Sequence, residues 1–250
     1  MKKKLILILS ILILIFLVGI LSIYLYIDYS FKHYVPVLAY HAIGDDKSND
    51  MQVSAENFEF QMKYLYEHNY NTLSMDEFYD WKKGNLKLNG KNIVITFDDG
   101  IESYYTKALP IMEKYNFKSV NFIINSRIDK KNYFNQEEIN ELNNNKLVTL
   151  GNHSYDMHNH DDAYSKNYNL YDSDLKITED KKYKYYAYPF GISNEEYKNA
   201  LKDNGYLLAF KFSPSKWASK DQNDFEVRRV PIYGSTSKLK FILKVLLNIK

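Results

Sequence analysis

The 250-residue sequence contains no cysteine. That absence excludes a disulfide framework, a cysteine nucleophile, a thiolate metal site and a lipid-modified cysteine anchor. Any metal must be held by His, Asp or Glu. The chain also lacks a charge excess. Its 33 basic and 31 acidic residues leave a net +2, and with Lys2, Lys3 and Lys4 set aside the body is about one charge negative. A near-neutral body speaks against a nucleic-acid partner, whose binding rests on neutralising phosphates. There is no internal repeat, and 45% hydrophobic with 26% charged residues exclude global disorder and a collagen-like chain. Aromatics are plentiful. The 24 tyrosines read as drift in a Lys-, Asn- and Tyr-rich composition rather than as a glycan-stacking surface.

Leu5 to Ile27 is a run of 23 uncharged residues behind three lysines, long enough as a helix to cross the roughly 30 Å hydrocarbon core. The lysines place the amino terminus inside, and Tyr24 and Tyr26 sit where interfacial aromatics belong. A cleavable signal peptide has a shorter apolar region ending in small residues, and Ser22-Ile23-Tyr24 is a poor cleavage site. An uncleaved single-pass anchor with the remainder outside the cytoplasm is therefore expected, secretion after cleavage being the alternative.

The expected layout is a basic cytoplasmic end at 1–4, the anchor at 5–27, a linker at 28–34, one α/β domain at 35–235 and an amphipathic helix at 236–250. Val35–Tyr40, Asn92–Phe97, Val120–Ile124, Leu147–Leu150, Tyr185–Tyr188 and Leu207–Phe210 read as buried strands. Helix signals lie between them: the Ser54 cap, the Ser74-Met75-Asp76-Glu77 capping box closed by Gly84, Thr106–Tyr115, and Asn194–Asn204 closed by Gly205. Strands alternating with helices imply a parallel sheet, and this many repeats a barrel. In the tail, Leu239, Ile242, Leu243 and Leu246 at helical spacing predict a helix that packs on the domain or lies at a membrane surface.

Reactive residues follow four of these strands: His41, then Asp98 and Asp99, then His153 and His158, then Pro189-Phe190-Gly191. In parallel barrels the carboxyl ends of the strands form the active-site face, so four separate segments deliver chemistry to one place. One carboxylate with two imidazoles suits a catalytic zinc site that keeps a position open for water. A neighbouring carboxylate left unbound can act as general base. Adjacent strand residues point to opposite sides, so Asp98 and Asp99 reach one site only through a bend, which Gly100 permits.

Thr96-Phe97-Asp98-Asp99-Gly100, together with Gly151-Asn152-His153-Ser154-Tyr155-Asp156-Met157-His158, resembles the polysaccharide deacetylase family, the NodB-homology or carbohydrate esterase family 4 domain. Val35–His41 is similar to its opening strand and Ala187-Tyr188-Pro189-Phe190-Gly191 to its third motif, so the likeness runs from about Val35 to about Ile232. The resemblance implies a distorted (β/α) barrel that hydrolyses N-acetyl groups from a glycan polymer. It implies Asp98 as base and Asp99, His153 and His158 as ligands of Zn2+, with Co2+, Ni2+ or Mn2+ as substitutes. Pro189, Phe190 and Gly191 would contribute substrate or oxyanion contacts, and Asp156 and Trp217 supporting ones.

Departures from the family pattern refine this reading. The histidines are five apart rather than four, about 140° around an ideal helix, so their segment must be irregular. That spacing resembles the subgroup acting on poly-β-1,6-N-acetyl-D-glucosamine, in which a histidine matching His41 serves as general acid. His160 is a rival ligand. The third motif lacks its arginine and no histidine follows His160, so Arg229 is a candidate replacement cation for Asp98, against a solvated pair with Arg228. The competing functions are peptidoglycan deacetylation and a catalytically silent glycan-binding protein on the same fold.

Overall fold

The computed structural model describes residues 2–46, 48–213 and 216–248, without the side chains of Lys2 and His160. Helix α1 (Lys2–His33) leads into β1 (Tyr34–Val35), β2 (Val37–Tyr40), β3 (Ala42–Ile43) and β4 (Gln52–Val53). Then come α2 (Ala55–Glu67), β5 (Tyr70–Thr72), α3 (Met75–Lys83), β6 (Lys91–Phe97), α4 (Leu109–Lys114), β7 (Ser119–Ile123), α5 (Gln136–Asn144) and β8 (Val148–Asn152). The chain continues through α6 (His160–Ala163), α7 (Tyr168–Ile177), β9 (Tyr185–Ala187), α8 (Glu195–Asp203), β10 (Leu208–Phe212), β11 (Ala218–Ser219), β12 (Val227–Pro231) and α9 (Lys238–Leu246).

Seven strands, β2, β6, β7, β8, β9, β10 and β12, pair in parallel in chain order, and β12 pairs with β2 to close a barrel. Strand β5 adds along the first half of β6. The barrel is distorted at its β8–β9 seam, where the register holds a single residue pair, Asn152 opposite Tyr186. The period-two alternation of strands divides the apolar residues. Ile93, Ile95 and Phe97 of β6 pack outward with Phe58 and Met62 of α2 and Met112 of α4. Val94 joins Val37, Val120, Phe122, Ala187 and Phe210 inside the barrel. Met75, Phe78 and Trp81 of α3 belong to this inner cluster and close its base.

Six of the seven barrel strands match expected ones to within two residues at each end, and Pro36 splits the expected Val35–Tyr40 into β1 and β2. The seventh, β12, is missing from the sequence reading because Arg228 and Arg229 interrupt its apolar run. The expected linker at 28–34 is corrected: α1 continues as helix through His33 and runs straight into β1. Its end is already part of the domain, with Ser30 buried and the Phe31 ring 5.1 Å from Trp217 and 5.8 Å from Tyr70. The carboxyl-terminal helix packs on the domain through Phe241 and Val245, and the Tyr70 hydroxyl donates to the Val245 carbonyl at 2.9 Å. Residues 249–250 of that segment lie outside the described residues.

Nine of the 24 tyrosines are buried in the core. Tyr186, Tyr188 and Tyr197 are fully buried with Tyr171, whose ring stacks on Tyr197 at 3.9 Å. Their hydroxyls find partners, Tyr188 donating to the Phe225 carbonyl at 3.0 Å.

The barrel interior leaves no room at Gly151, where a Cβ would stand 2.7 Å from the Phe122 ring and 3.0 Å from the Tyr185 carbonyl oxygen. Gly151→Ala is expected to cost about 1–3 kcal/mol, read as a lower urea midpoint at unchanged slope.

Candidate active site

Because every barrel strand runs the same way, the residues after their carboxyl ends meet at one mouth. Asp98 lies at the inner end of β6 and Asp99 is the next residue. Their shared access to the mouth comes from the bend: Asp99 itself takes φ 75° and Gly100 φ 71°, so two left-handed residues turn the Asp99 carboxylate back. Asp99 Oδ1 then stands 3.4 Å from His153 Nε2 and 3.6 Å from His158 Nε2. One donor atom from each of the three lies within 4.8 Å of the others. Asp98 Oδ2 is 3.9 Å from His153 Nε2 and 4.0 Å from His41 Nε2.

Asp98 is fully buried, and its charge is answered by an equally buried cation. The Arg229 guanidinium donates to both carboxylate oxygens, at 2.6 and 2.8 Å, and to Thr96 Oγ1 at 3.1 Å. It is sandwiched between the rings of Phe122 and Phe212, 5.3 and 5.0 Å from their centroids. Arg229 is therefore an inward residue of β12, not a solvated partner of Arg228. Burial works against an ionised Asp98, but Arg229, with His153 and His41, outweighs it and lowers the pKa.

His153 is fixed from behind. Its Nδ1–H donates to the Ala187 carbonyl at 2.7 Å, which aims Nε2 at Asp99. His158 Nδ1 faces Ser154 Oγ at 3.4 Å. The segment between the two histidines is the irregular stretch their spacing demands. Ser154 has φ 80°, and its Oγ accepts the Met157 N–H at 2.9 Å. Asp174 on α7, buried, accepts the Tyr155 and Asp156 N–H groups at 2.8 and 2.9 Å. Asn125, just past β7, ties the same stretch to Asn152 Oδ1 and the Ser154 carbonyl at 2.9 and 3.1 Å. Sequence reasoning missed both supports. Asn125 carried the signal of a polar residue at a strand's end, whereas Asp174 lies on a helix with none.

The remaining candidates divide. The Phe190 ring, 48% exposed, stands 5.7 Å from the His158 ring at the mouth. Pro189 has no N–H and the Gly191 N–H is given to the Tyr188 carbonyl at 2.9 Å, so these two supply no oxyanion donor. Asp156 Oδ1 accepts the Ser126 hydroxyl at 2.7 Å on the loop's outer side. Trp217 is at the opposite end: fully buried against Phe31, it donates Nε1–H to the Lys244 carbonyl at 2.9 Å and supports the base of the domain. The His160 side chain lies outside the described residues.

The cluster's electrostatics suit a cation. Burial opposes ionisation of Asp99, yet His153, His41 and His158 hold its carboxyl far below the usual range. Burial likewise opposes a charged His153, but Asp98 and Asp99 raise its pKa, while burial and His153 push His158 down to about 3. A buried and a partly buried carboxylate beside two imidazole nitrogens thus gather negative charge that a metal cation would compensate. The carboxylate-plus-two-imidazole donor set and the His153 tether fit a divalent ion.

A closed parallel barrel with this triad at its mouth defines a metal-binding hydrolase class, and the comparisons make it specific. The profile of the polysaccharide deacetylase family matches residues 85–209, half the chain. The protein belongs to that family and is a polysaccharide deacetylase, a hydrolase of amide bonds. It is 28% identical over 197 residues to the poly-β-1,6-N-acetyl-D-glucosamine N-deacetylase of Staphylococcus aureus, covering 72% of this chain and 67% of that one. A polysaccharide deacetylase from Bacillus cereus superposes with a TM-score of 0.73 at 27% identity, over 85% of this chain and 69% of the other. The fold is also that of the Streptococcus pyogenes deacetylase PplD, solved with acetate, at a TM-score of 0.76 and 22% identity over 86% and 98% of the two chains.

Two outcomes follow from the buried charges. Arg229→Met leaves Asp98 buried without a partner and is expected to cost about 3–5 kcal/mol in urea unfolding, with part recovered in the Asp98→Asn/Arg229→Met double variant. For Asp174, burial raises the pKa to about 6 against the hydrogen bonds from Asp156 and Tyr155. A folded value above the ordinary carboxylate value gives stability that is full below about pH 4 and lost as pH rises through about 6. In metal-free protein, wild type should therefore lose on the order of 2 kcal/mol relative to Asp174→Asn between about pH 4 and 7.

Proposed function

We propose that the protein is a membrane-anchored, zinc-dependent N-deacetylase of a cell-surface N-acetylglucosamine polymer of the poly-β-1,6-linked kind. The observation that carries this reading is the Asp99–His153–His158 donor triad lying beside an ionised, Arg229-clamped Asp98. The Staphylococcus aureus relative supports the choice of polymer. The 23-residue apolar run within α1 supports an anchor at 5–27, with the catalytic domain at 35–235 outside the cytoplasm. Zinc is favoured by the mixed carboxylate and imidazole donors, which Co2+, Ni2+ or Mn2+ also accept.

Asp99, His153 and His158 would hold the ion, which when bound supplies Lewis acidity toward the acetyl carbonyl and toward water. Asp98, kept anionic by Arg229, takes the proton of the attacking water. Carbon–nitrogen cleavage then needs a proton on the departing sugar amine. His41, whose Nε2 stands 4.0 Å from Asp98 Oδ2 with its side chain 13% exposed, donates that proton. The exposed Phe190 ring offers a sugar face a flat apolar contact beside His158.

The reading predicts that the detergent-solubilised full chain releases acetate from β-1,6-linked N-acetylglucosamine oligomers and stops with chelator. Preferential release from β-1,4-linked oligomers would move the substrate to peptidoglycan, and no release from either would leave a glycan-binding protein. Asp99→Asn should abolish metal binding, while Asp98→Asn keeps the metal and loses turnover. The opposite pattern in metal analysis and rate would exchange the two roles. His41→Ala, with normal metal content, should lower kcat at least about a hundredfold. Turnover near wild type would remove His41 as the acid.

A further inference from the structure

The base of the barrel, opposite the mouth, carries a second feature. Two grooves flank α1 where it meets the domain. One lies between Tyr24, Ile27 and Phe31 and the loop after α3, with Lys87, Lys91 and Lys220 around it. The other lies between Tyr26 and Tyr29 of α1 and the segment carrying Lys216 and Arg228. The floors are apolar and aromatic; the rims are cationic. The single acidic residue lining either groove, Asp28, is paired with Lys32 at 2.6 Å. Among the described residues, Lys87, Lys91, Lys216, Lys220 and Arg228 have no carboxylate within ion-pair distance, although the chain as a whole is almost neutral.

The helix fixes the depth of these grooves. The apolar run of 23 residues is about 35 Å long against a hydrocarbon core of about 30 Å, so its last turn, around Tyr24 to Ile27, stands at headgroup level. That turn is where the domain begins: the Tyr26 hydroxyl donates to the Asn248 carbonyl, and Ser30 is already buried. No flexible linker separates the two, because α1 is continuous to His33. The cationic rims are thereby held in the plane of the lipid phosphates.

We propose that this base is a docking surface for anionic phospholipid headgroups of the outer leaflet. Lys87, Lys91 and Lys220 contact the phosphates on one side of α1 and Lys216 and Arg228 on the other, while Tyr24, Ile27 and Tyr29 lie against the glycerol and headgroup layer. Docking holds the barrel upright on the bilayer, with its mouth facing away from it. The proposal rests on the membrane reading of α1 and adds a lipid preference to it.

The chain's two tryptophans report on the surface directly, since Trp81 lines one groove and Trp217 packs on Phe31 beside it. The full chain is reconstituted in neutral phosphatidylcholine vesicles containing a few mole per cent of lipid that bears a nitroxide quencher near the headgroup. The quencher is carried by either phosphatidylglycerol or phosphatidylcholine. Tryptophan quenching should be at least about threefold steeper with the anionic carrier. The preference should fall away in about 0.5 M salt and in Lys87→Gln/Lys220→Gln, both exposed residues remote from the mouth, which retains deacetylase activity. Equal quenching by the two carriers, or a preference that survives the double substitution, overturns the proposal. Failure of the anchor itself has a separate signature: the chain does not float with neutral vesicles and neither carrier quenches.

Discussion

The pairing of Asp98 with Arg229 in the dry interior of the barrel is the contact on which the site depends. A lone carboxylate there would take up a proton, and a second one beside it at Asp99 would press the same way. The guanidinium removes that tendency by offering two parallel donors, at 2.6 and 2.8 Å, to both oxygens of Asp98. It comes from β12, the strand that closes the barrel onto β2. Closure of the sheet and ionisation of Asp98 are therefore linked. A barrel that failed to close would leave Asp98 without the cation that keeps it ionised. Such a pair is weak evidence for stability, since desolvation offsets most of its Coulomb energy. Its value is in holding a charge where the chemistry needs one.

Around that pair the labour is divided between strand ends and the elements outside them. The strands bring His41, Asp98, Asp99 and His153 to one mouth by their common direction. The fifth group, His158, lies on an irregular stretch that no strand or helix holds. Its shape comes from Asp174 and Asn125, which take up backbone N–H and C=O groups of that stretch. Backbone that is neither helical nor paired must satisfy its polar groups elsewhere, and here side chains do it. The five-residue spacing of the histidines is thus workable only because α7 stands behind the loop.

The two ends of the barrel are built differently. The base receives α1, the carboxyl-terminal helix and Trp217 in one packed unit with a cationic margin. The mouth carries the buried charges and the exposed Phe190. A polysaccharide deacetylase built this way carries its chemistry at the end of the barrel opposite the long apolar helix, which is joined to its core without a linker. The continuous helix through His33 makes the junction of α1 with the base a property of the fold rather than of a tether.

What the sequence determined by itself is local. Apolar runs bounded by turn residues marked six barrel strands, because a strand buried on both faces must be apolar throughout. The groups placed just after those runs identified the mouth, because parallel strands deliver their ends to one side. Short motifs such as Asp98-Asp99-Gly100 carried their own bend. The tertiary structure decided what depends on partners distant in the chain. Strand β12 hid its identity because its inward residue is a cation, which reads as solvent-exposed until Asp98 is set 131 positions away and 2.6 Å distant. Asp174 could not be told from any helix carboxylate until the loop it supports was folded against it. Residues 28–33 looked like a linker because nothing in them shows that Phe31 meets Trp217. In each case the residue's environment, not its type, sets its role, and that environment exists only after the barrel has closed.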